Sequence, residues 1–172
     1  MMLELAASFA SGFAHPLHGA DHIVAMLAVG IWGALTGGRA IRVWPVTFVV
    51  TMLAGFASAV AGMSVPFVEP ALASSIVALG LLVALAAKAP LGVGAAIIGL
   101  FAFFHGHVHG TEAASASLIT YASGLGVATA ALHAAGIAMC RLTAGSIARV
   151  AALRVISALA ALGGVLAIVV LQ

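Results

Sequence analysis

The histidines of this chain fall into two groups whose spacing suits the binding of a transition-metal ion. Seven histidines occur beside only six basic and four acidic side chains. Three of them, His15, His18 and His22, lie within a stretch of eight residues together with Asp21. Residues three and four apart share a helix face, so a helix would align these three rings along one stripe. Asp21 would either bind the ion directly or orient a ligand histidine through a hydrogen bond.

The second group is His105, His107 and His109, which Glu112 follows. In a regular helix, His105 and His109 face one way and His107 roughly the other. The neighbouring glycines also allow an unwound turn that directs all three rings inward, provided that the irregular backbone is buried in protein. Neutral imidazole is the commonest metal ligand in proteins and suits Zn, Cu, Fe and Ni.

The composition indicates that these groups lie in a membrane. Hydrophobic residues make up 65% of the chain and charged residues 6%, whereas soluble domains are about half apolar and a quarter charged. A globule of this composition would expose an aggregating apolar surface. A soluble enzyme, a nucleic-acid-binding protein and a disordered chain are therefore excluded, and the six scattered basic side chains form no nucleic-acid patch.

Glycine, proline and charged residues divide the chain into six apolar segments, each near the length of about 20 residues that a membrane-spanning helix needs. Leu3–Ala14 is too short to span, and we expect it to be a half-helix broken from the first span near Pro16. The sequence thus predicts an all-α integral membrane protein, a single transmembrane domain of residues 1–172. The predicted spans are residues 16–36, 43–61, 70–87, 91–109, 115–140 and 147–171.

The charges predict the orientation of these spans. All basic residues lie on one side of the membrane, in or beside the loops after spans one, three and five: Arg39, Arg42, Lys88, Arg141, Arg149 and Arg154. Glu4, Glu69 and Glu112 lie on the other side. Because basic loops stay in the cytoplasm, both termini are expected outside. Trp32 and Trp44 flank the first cytoplasmic loop and are expected to anchor it at the membrane interface.

Both histidine groups then lie in the outer half of the bilayer, where contact between spans one and four would bring them together. The candidate metal ligands are His15, Asp21, His22, His105, His107, His109 and Glu112, with His18 given less weight. His133, also given less weight, lies in the inner half of span five. It is either a relay on an exit path or a core histidine bonded to a neighbouring helix.

The stretches HPLHGADH and FHGHVHGTE resemble the HupE/UreJ family of nickel/cobalt permeases. The first carries the family pattern H-x5-D-H, and the second carries F-H-G-x-x-H-G-x-E. The residues that match are His15, Asp21 and His22 in the first, and Phe104, His105, Gly106, His109, Gly110 and Glu112 in the second. The resemblance covers nearly the whole chain. It implies six spans, outside termini, and uptake of Ni²⁺ or Co²⁺ across the bacterial cytoplasmic membrane.

We therefore expect a permease rather than an enzyme, with the lipid bilayer and a divalent ion as its partners. The ion is cargo, either Ni²⁺ or Co²⁺ with Zn²⁺ also compatible, and no cofactor is expected. No nucleotide or nucleic acid is expected to bind, and a homo-oligomer is left open. The alternative is an intramembrane zinc-dependent lipid hydrolase, in which the metal keeps an open position for water. A water facing a lipid-open groove would favour the hydrolase, and a polar path through the protein would favour the permease.

Overall fold

The computed structural model describes residues 1–170, which form seven α-helices and one short 3-10 turn at His15–Leu17. No strand occurs within this described range. The chain is therefore all-α, as predicted. The helices are α1 (Met2–Ala14), α2 (Ala20–Thr36), α3 (Ala40–Val60), α4 (Val68–Ala84), α5 (Leu91–Thr111), α6 (Leu118–Thr143) and α7 (Ile147–Val170).

Four of these helices, α3, α5, α6 and α7, are long and apolar enough to cross a membrane. The α1 segment and α2 meet the same test as a pair, but they are bent by 82° at the break between them. The α4 helix is apolar and shorter. These features define a multi-pass membrane protein. Helices α2 to α7 coincide closely with the six predicted segments, except that residues 171 and 172 lie outside the described residues.

The break expected near Pro16 separates α1 from α2. Pro16 lies inside the 3-10 turn, where its missing N–H leaves no α-helical hydrogen bond unmade. Gly19 follows in an extended conformation and precedes the first residue of α2. The chain therefore changes direction at this point, and the helix axis does not continue from His15 to His22.

Close helix packing places the remaining elements around α2 and α6. The α6 helix contacts α1 with its first half and α2 with its second half. The α3 and α5 helices pack along their length, and α7 lies against α4. Glycines allow this approach, since a Cβ at Gly106 would collide with the Met52 carbonyl and one at Gly12 with the Tyr121 carbonyl.

The two tryptophans are not interfacial anchors, and that prediction was wrong. Trp32 and Trp44 are fully buried, with ring centroids 4.2 Å apart. Trp32 Nε1 donates a hydrogen bond to the Ala87 carbonyl at 2.7 Å, and Trp44 Nε1 donates to the Leu91 carbonyl at 3.0 Å. A buried indole N–H needs an acceptor. The α4–α5 loop and the first residue of α5 supply the two acceptors, so the pair joins α2 and α3 to that region.

Candidate metal centre

The bend between α1 and α2 and the C-terminal end of α5 bring four imidazole rings together. The ring centroids of His22 and His109 lie 4.7 Å apart, and those of His15 and His109 lie 4.9 Å apart. His105 lies one turn before His109, and its centroid is 5.3 Å from that of His22. The structure thus joins members of the two histidine groups that are about ninety positions apart in the sequence.

Asp21 contacts one ring of this cluster, that of His22. His22 Nδ1 lies 3.0 Å from Asp21 Oδ1, and Asp21 itself is 46% exposed. With Nδ1 protonated, the lone pair of a neutral His22 is on Nε2. His22 Nε2 is buried and makes no hydrogen bond with any described residue. Of the two roles considered for Asp21, this geometry favours orientation of a ligand histidine.

His109 is the most fully enclosed member of the cluster. Its side chain is buried, and neither ring nitrogen has a hydrogen-bond partner among residues 1–170. A buried polar group without a partner costs about 1–3 kcal/mol. His105 differs, because its Nδ1 donates to the Phe101 carbonyl at 2.9 Å and leaves the Nε2 lone pair free. The cluster therefore offers several nitrogen lone pairs that the protein itself does not use.

An outer group of donors opens from the cluster toward the surface. His15, His109 and Glu112 each offer a ligand atom, and these atoms all lie within 4.8 Å of one another. Glu112 Oε2 lies 3.1 Å from His15 Nε2. Glu112 is 54% exposed and His15 is 30% exposed, so water reaches this side of the cluster. Two imidazoles and a carboxylate are a donor set for a divalent transition metal.

Two of the predicted histidines lie outside the cluster. His107 points to α3, where its Nδ1 lies 2.9 Å from Ser58 Oγ and its ring stacks on Phe103. The α5 helix is regular through His109, so the interpretation with an unwound turn was wrong. His18 lies in the break between α1 and α2 with an exposed side chain. The expected stripe of three aligned rings was also wrong, because the helix is interrupted.

His133 is a buried core histidine bonded to a neighbouring helix, one of the two alternatives that the sequence left open. Its Nδ1 donates to the Met26 carbonyl of α2 at 2.7 Å. The ring of Phe48 contacts both His133 and the cluster, with centroids 4.9 Å from His133 and 5.7 Å from His105. His133 Nε2 has no partner within the described part of the chain. One aromatic ring therefore contacts both His133 and a member of the cluster.

Sequence reasoning missed Tyr121, which lines the outer group. Its ring centroid lies 5.9 Å from that of His15, and the ring also stacks on Phe56. Tyr121 is 2% exposed, and its hydroxyl lacks a partner in the described structure. A buried tyrosine hydroxyl normally finds one. The available signal was that this is the single tyrosine of the chain, within an apolar helix.

The apolar helices and the buried imidazoles together define a multi-pass α-helical membrane protein with a candidate metal centre. A family model described as HupE / UreJ protein matches residues 2–167. The chain is also 43% identical over 155 residues to Protein HupE of Rhizobium leguminosarum bv. viciae, covering 90% of this chain and 81% of that protein. This chain belongs to the HupE/UreJ family, as its two motifs predicted. No solved structure matches it.

Proposed function

We propose that this chain is a permease for the uptake of divalent transition-metal ions, Ni²⁺ and/or Co²⁺. The observation that carries the proposal is the enclosed cluster around His109. Its unpartnered nitrogens lie among three further imidazoles inside an apolar bundle. Such groups are costly in a membrane protein unless they bind something. Membership of the HupE/UreJ family supports the same conclusion.

The proposed architecture is a single transmembrane domain with six crossings by α2 to α7 and a half-helix formed by α1. Both termini are outside, and the host membrane is the bacterial cytoplasmic membrane. The distribution of charge supports this orientation: Lys88 lies in the α4–α5 loop, and Arg39 lies in the α2–α3 loop. Glu112 ends α5 at the opposite end. The histidine cluster then faces the periplasm.

In this proposal the ion first exchanges water for His15 and Glu112, the exposed donors. It then moves to the buried nitrogens of His22, His105 and His109, with Asp21 fixing the His22 ring. Release then follows toward the cytoplasmic end of the bundle. The membrane potential favours cation uptake by about 2.3 kcal/mol per charge per 100 mV. The chain has no phosphate-binding loop of the G-x-x-x-x-G-K-[ST] type, so ATP hydrolysis by this chain is not part of the proposal.

The donor set restricts the cargo. Imidazole nitrogens with one carboxylate suit Ni²⁺, Co²⁺ or Zn²⁺, whereas Mg²⁺ prefers oxygen ligands. Affinity alone does not choose among the first three ions. In the Irving–Williams order of metal affinities, Zn²⁺ and Ni²⁺ lie close together. Flux measurements with competing ions are therefore needed. No contact among the described residues favours the hydrolase alternative over the permease.

The test is uptake of Ni²⁺ and Co²⁺ into proteoliposomes containing the purified protein, with Zn²⁺ and Mg²⁺ as competitors. We expect saturable uptake that Mg²⁺ does not inhibit and that His22→Ala and His105→Ala each abolish. Glu4→Gln changes an exposed carboxylate whose partner is the Met1 amino group and should leave uptake unchanged. Absence of flux in the wild type, with tight metal binding retained, would reject the permease and make lipid hydrolysis the next assay.

A further inference from the structure

His109 lies between two sets of potential ligands and contacts both. The first set contains His15, whose ring makes a T-shaped contact with His109, and Glu112 beside it. The second set contains His22, whose ring also contacts that of His105. Both nitrogens of His109 lack a partner within residues 1–170, and they point to different edges of the ring. One ring therefore serves both groups of donors.

The chemistry of imidazole limits how many ions the His109 ring binds at one time. A neutral imidazole carries a hydrogen on one nitrogen and a free lone pair on the other. His109 thus ligates one ion at a time, through one nitrogen. We propose that His109 is the common ligand of two successive cation subsites whose occupancy is mutually exclusive. The outer subsite is His15, His109 and Glu112, and the inner subsite is His22, His105 and His109.

The two subsites differ in exposure and in donor atoms. The outer subsite contains the carboxylate of Glu112, which is 54% exposed, and its three donors already lie within 4.8 Å of one another. The inner subsite has imidazole nitrogens alone, and His105 and His109 are buried. An ion that moves inward exchanges an oxygen ligand and its remaining water for nitrogen ligands. The same ring supplies a ligand to both subsites, through one nitrogen at a time.

This inference rests on the proposed function for the identity of the ligand, and it makes a separate prediction about stoichiometry. If the subsites share His109, each chain binds one divalent ion at saturation. If they are independent, each chain binds two. Because both subsites require the His109 ring, loss of that ring should remove metal binding at both subsites. Neither statement depends on whether the ion crosses the membrane.

The experiment is equilibrium binding of Co²⁺ to the detergent-solubilised full chain, read by bound metal per chain and by the visible absorption of Co²⁺. We expect one Co²⁺ per wild-type chain. The double variant His15→Ala with Glu112→Gln should retain one Co²⁺ in the inner subsite, and His22→Ala with His105→Ala should retain one in the outer subsite. Their spectra should differ, because only the second retains a carboxylate ligand. His109→Ala should bind none at a concentration that saturates the wild type.

Two results would overturn the shared ligand: two ions per wild-type chain, or one ion retained by His109→Ala. Loss of binding in both double variants would also overturn it, in favour of one undivided site. Fluorescence of the buried Trp32 and Trp44 pair checks folding, and His109→Phe replaces His109→Ala if that variant fails the check. Glu4→Gln is the control for Glu112→Gln.

The outcomes for the two proposals are distinguishable. One Co²⁺ per chain with the expected variant pattern, but without flux in proteoliposomes, rejects the permease and retains the shared ligand. Uptake of Ni²⁺ by a chain that binds two ions rejects the shared ligand alone. A wild-type chain that binds no Co²⁺, Ni²⁺ or Zn²⁺ rejects both.

Discussion

Asp21 Oδ1 lies 3.0 Å from His22 Nδ1, and Gly19 provides the space for this contact. A Cβ at Gly19 would lie 2.7 Å from both of these atoms. The contact therefore depends on Gly19, the Asp21 carboxylate and the His22 ring together. This arrangement directs His22 Nε2 toward the cluster. An Asp directly before a His in this motif therefore places a carboxylate where it orients the ring.

The first prediction concerns Asp21. Replacing it with Ala removes the group that orients His22, and partners of this kind typically contribute 10- to 100-fold in metal affinity. We expect Asp21→Ala to weaken Ni²⁺ binding by about that factor. Asp21→Asn keeps an acceptor oxygen and should weaken binding less. Isothermal titration on the purified protein measures both. Complete loss of binding in Asp21→Asn would instead identify the carboxylate as a direct ligand.

The second prediction separates His18 from His15. Both belong to the first histidine group, but His18 is exposed in the break, and His15 contacts His109 and Glu112. We expect His15→Ala to reduce Ni²⁺ uptake strongly at low ion concentration and His18→Ala to leave it within about twofold, since surface substitutions away from key contacts have small effects. Initial uptake rates across a range of Ni²⁺ concentrations make the comparison. Equal losses in the two variants would contradict this assignment.

The third prediction concerns Gly106, which lies within the second motif. Its role is close packing of α5 on α3, because a Cβ there would collide with the Met52 carbonyl. We expect Gly106→Ala to destabilise the protein by about 1–3 kcal/mol, as overpacking typically does. Thermal unfolding in detergent provides the measurement. Gly92→Ala is the matched control on α5, where a Cβ meets nothing within 4 Å, and an equal effect of the two would argue against packing.

The fourth prediction concerns the tryptophan pair. Trp44→Phe keeps an aromatic ring and removes the N–H that donates to the Leu91 carbonyl. The expected loss of stability is about 0.5–1.5 kcal/mol, the usual net value of a hydrogen bond. Trp44→Leu should cost more, because it also removes the ring that packs against Trp32. Thermal unfolding with near-ultraviolet circular dichroism reports both effects. An unchanged unfolding temperature in Trp44→Phe would exclude the hydrogen bond as a contributor.

The sequence alone predicted the all-α class, the approximate limits of helices α2 to α7, the break near Pro16 and the family. These features are local. Apolar length, proline, glycine and charge act within a few residues, and they do not depend on which helices become neighbours. The two histidine groups could also be identified from the sequence, because histidine is rare in apolar segments and the spacing of the histidines is read directly from the sequence.

Only the tertiary structure decided which of these side chains meet. Ser58 of α3 engages His107, the bend after α1 leaves His18 exposed, and His109 contacts rings on both sides of that bend. The burial of Trp32 and Trp44 likewise depends on acceptors that the α4–α5 loop and the start of α5 supply. Helix periodicity gives the direction of a side chain about its own axis. Which residue that side chain contacts depends on how the other helices pack. No local sequence pattern specifies this packing.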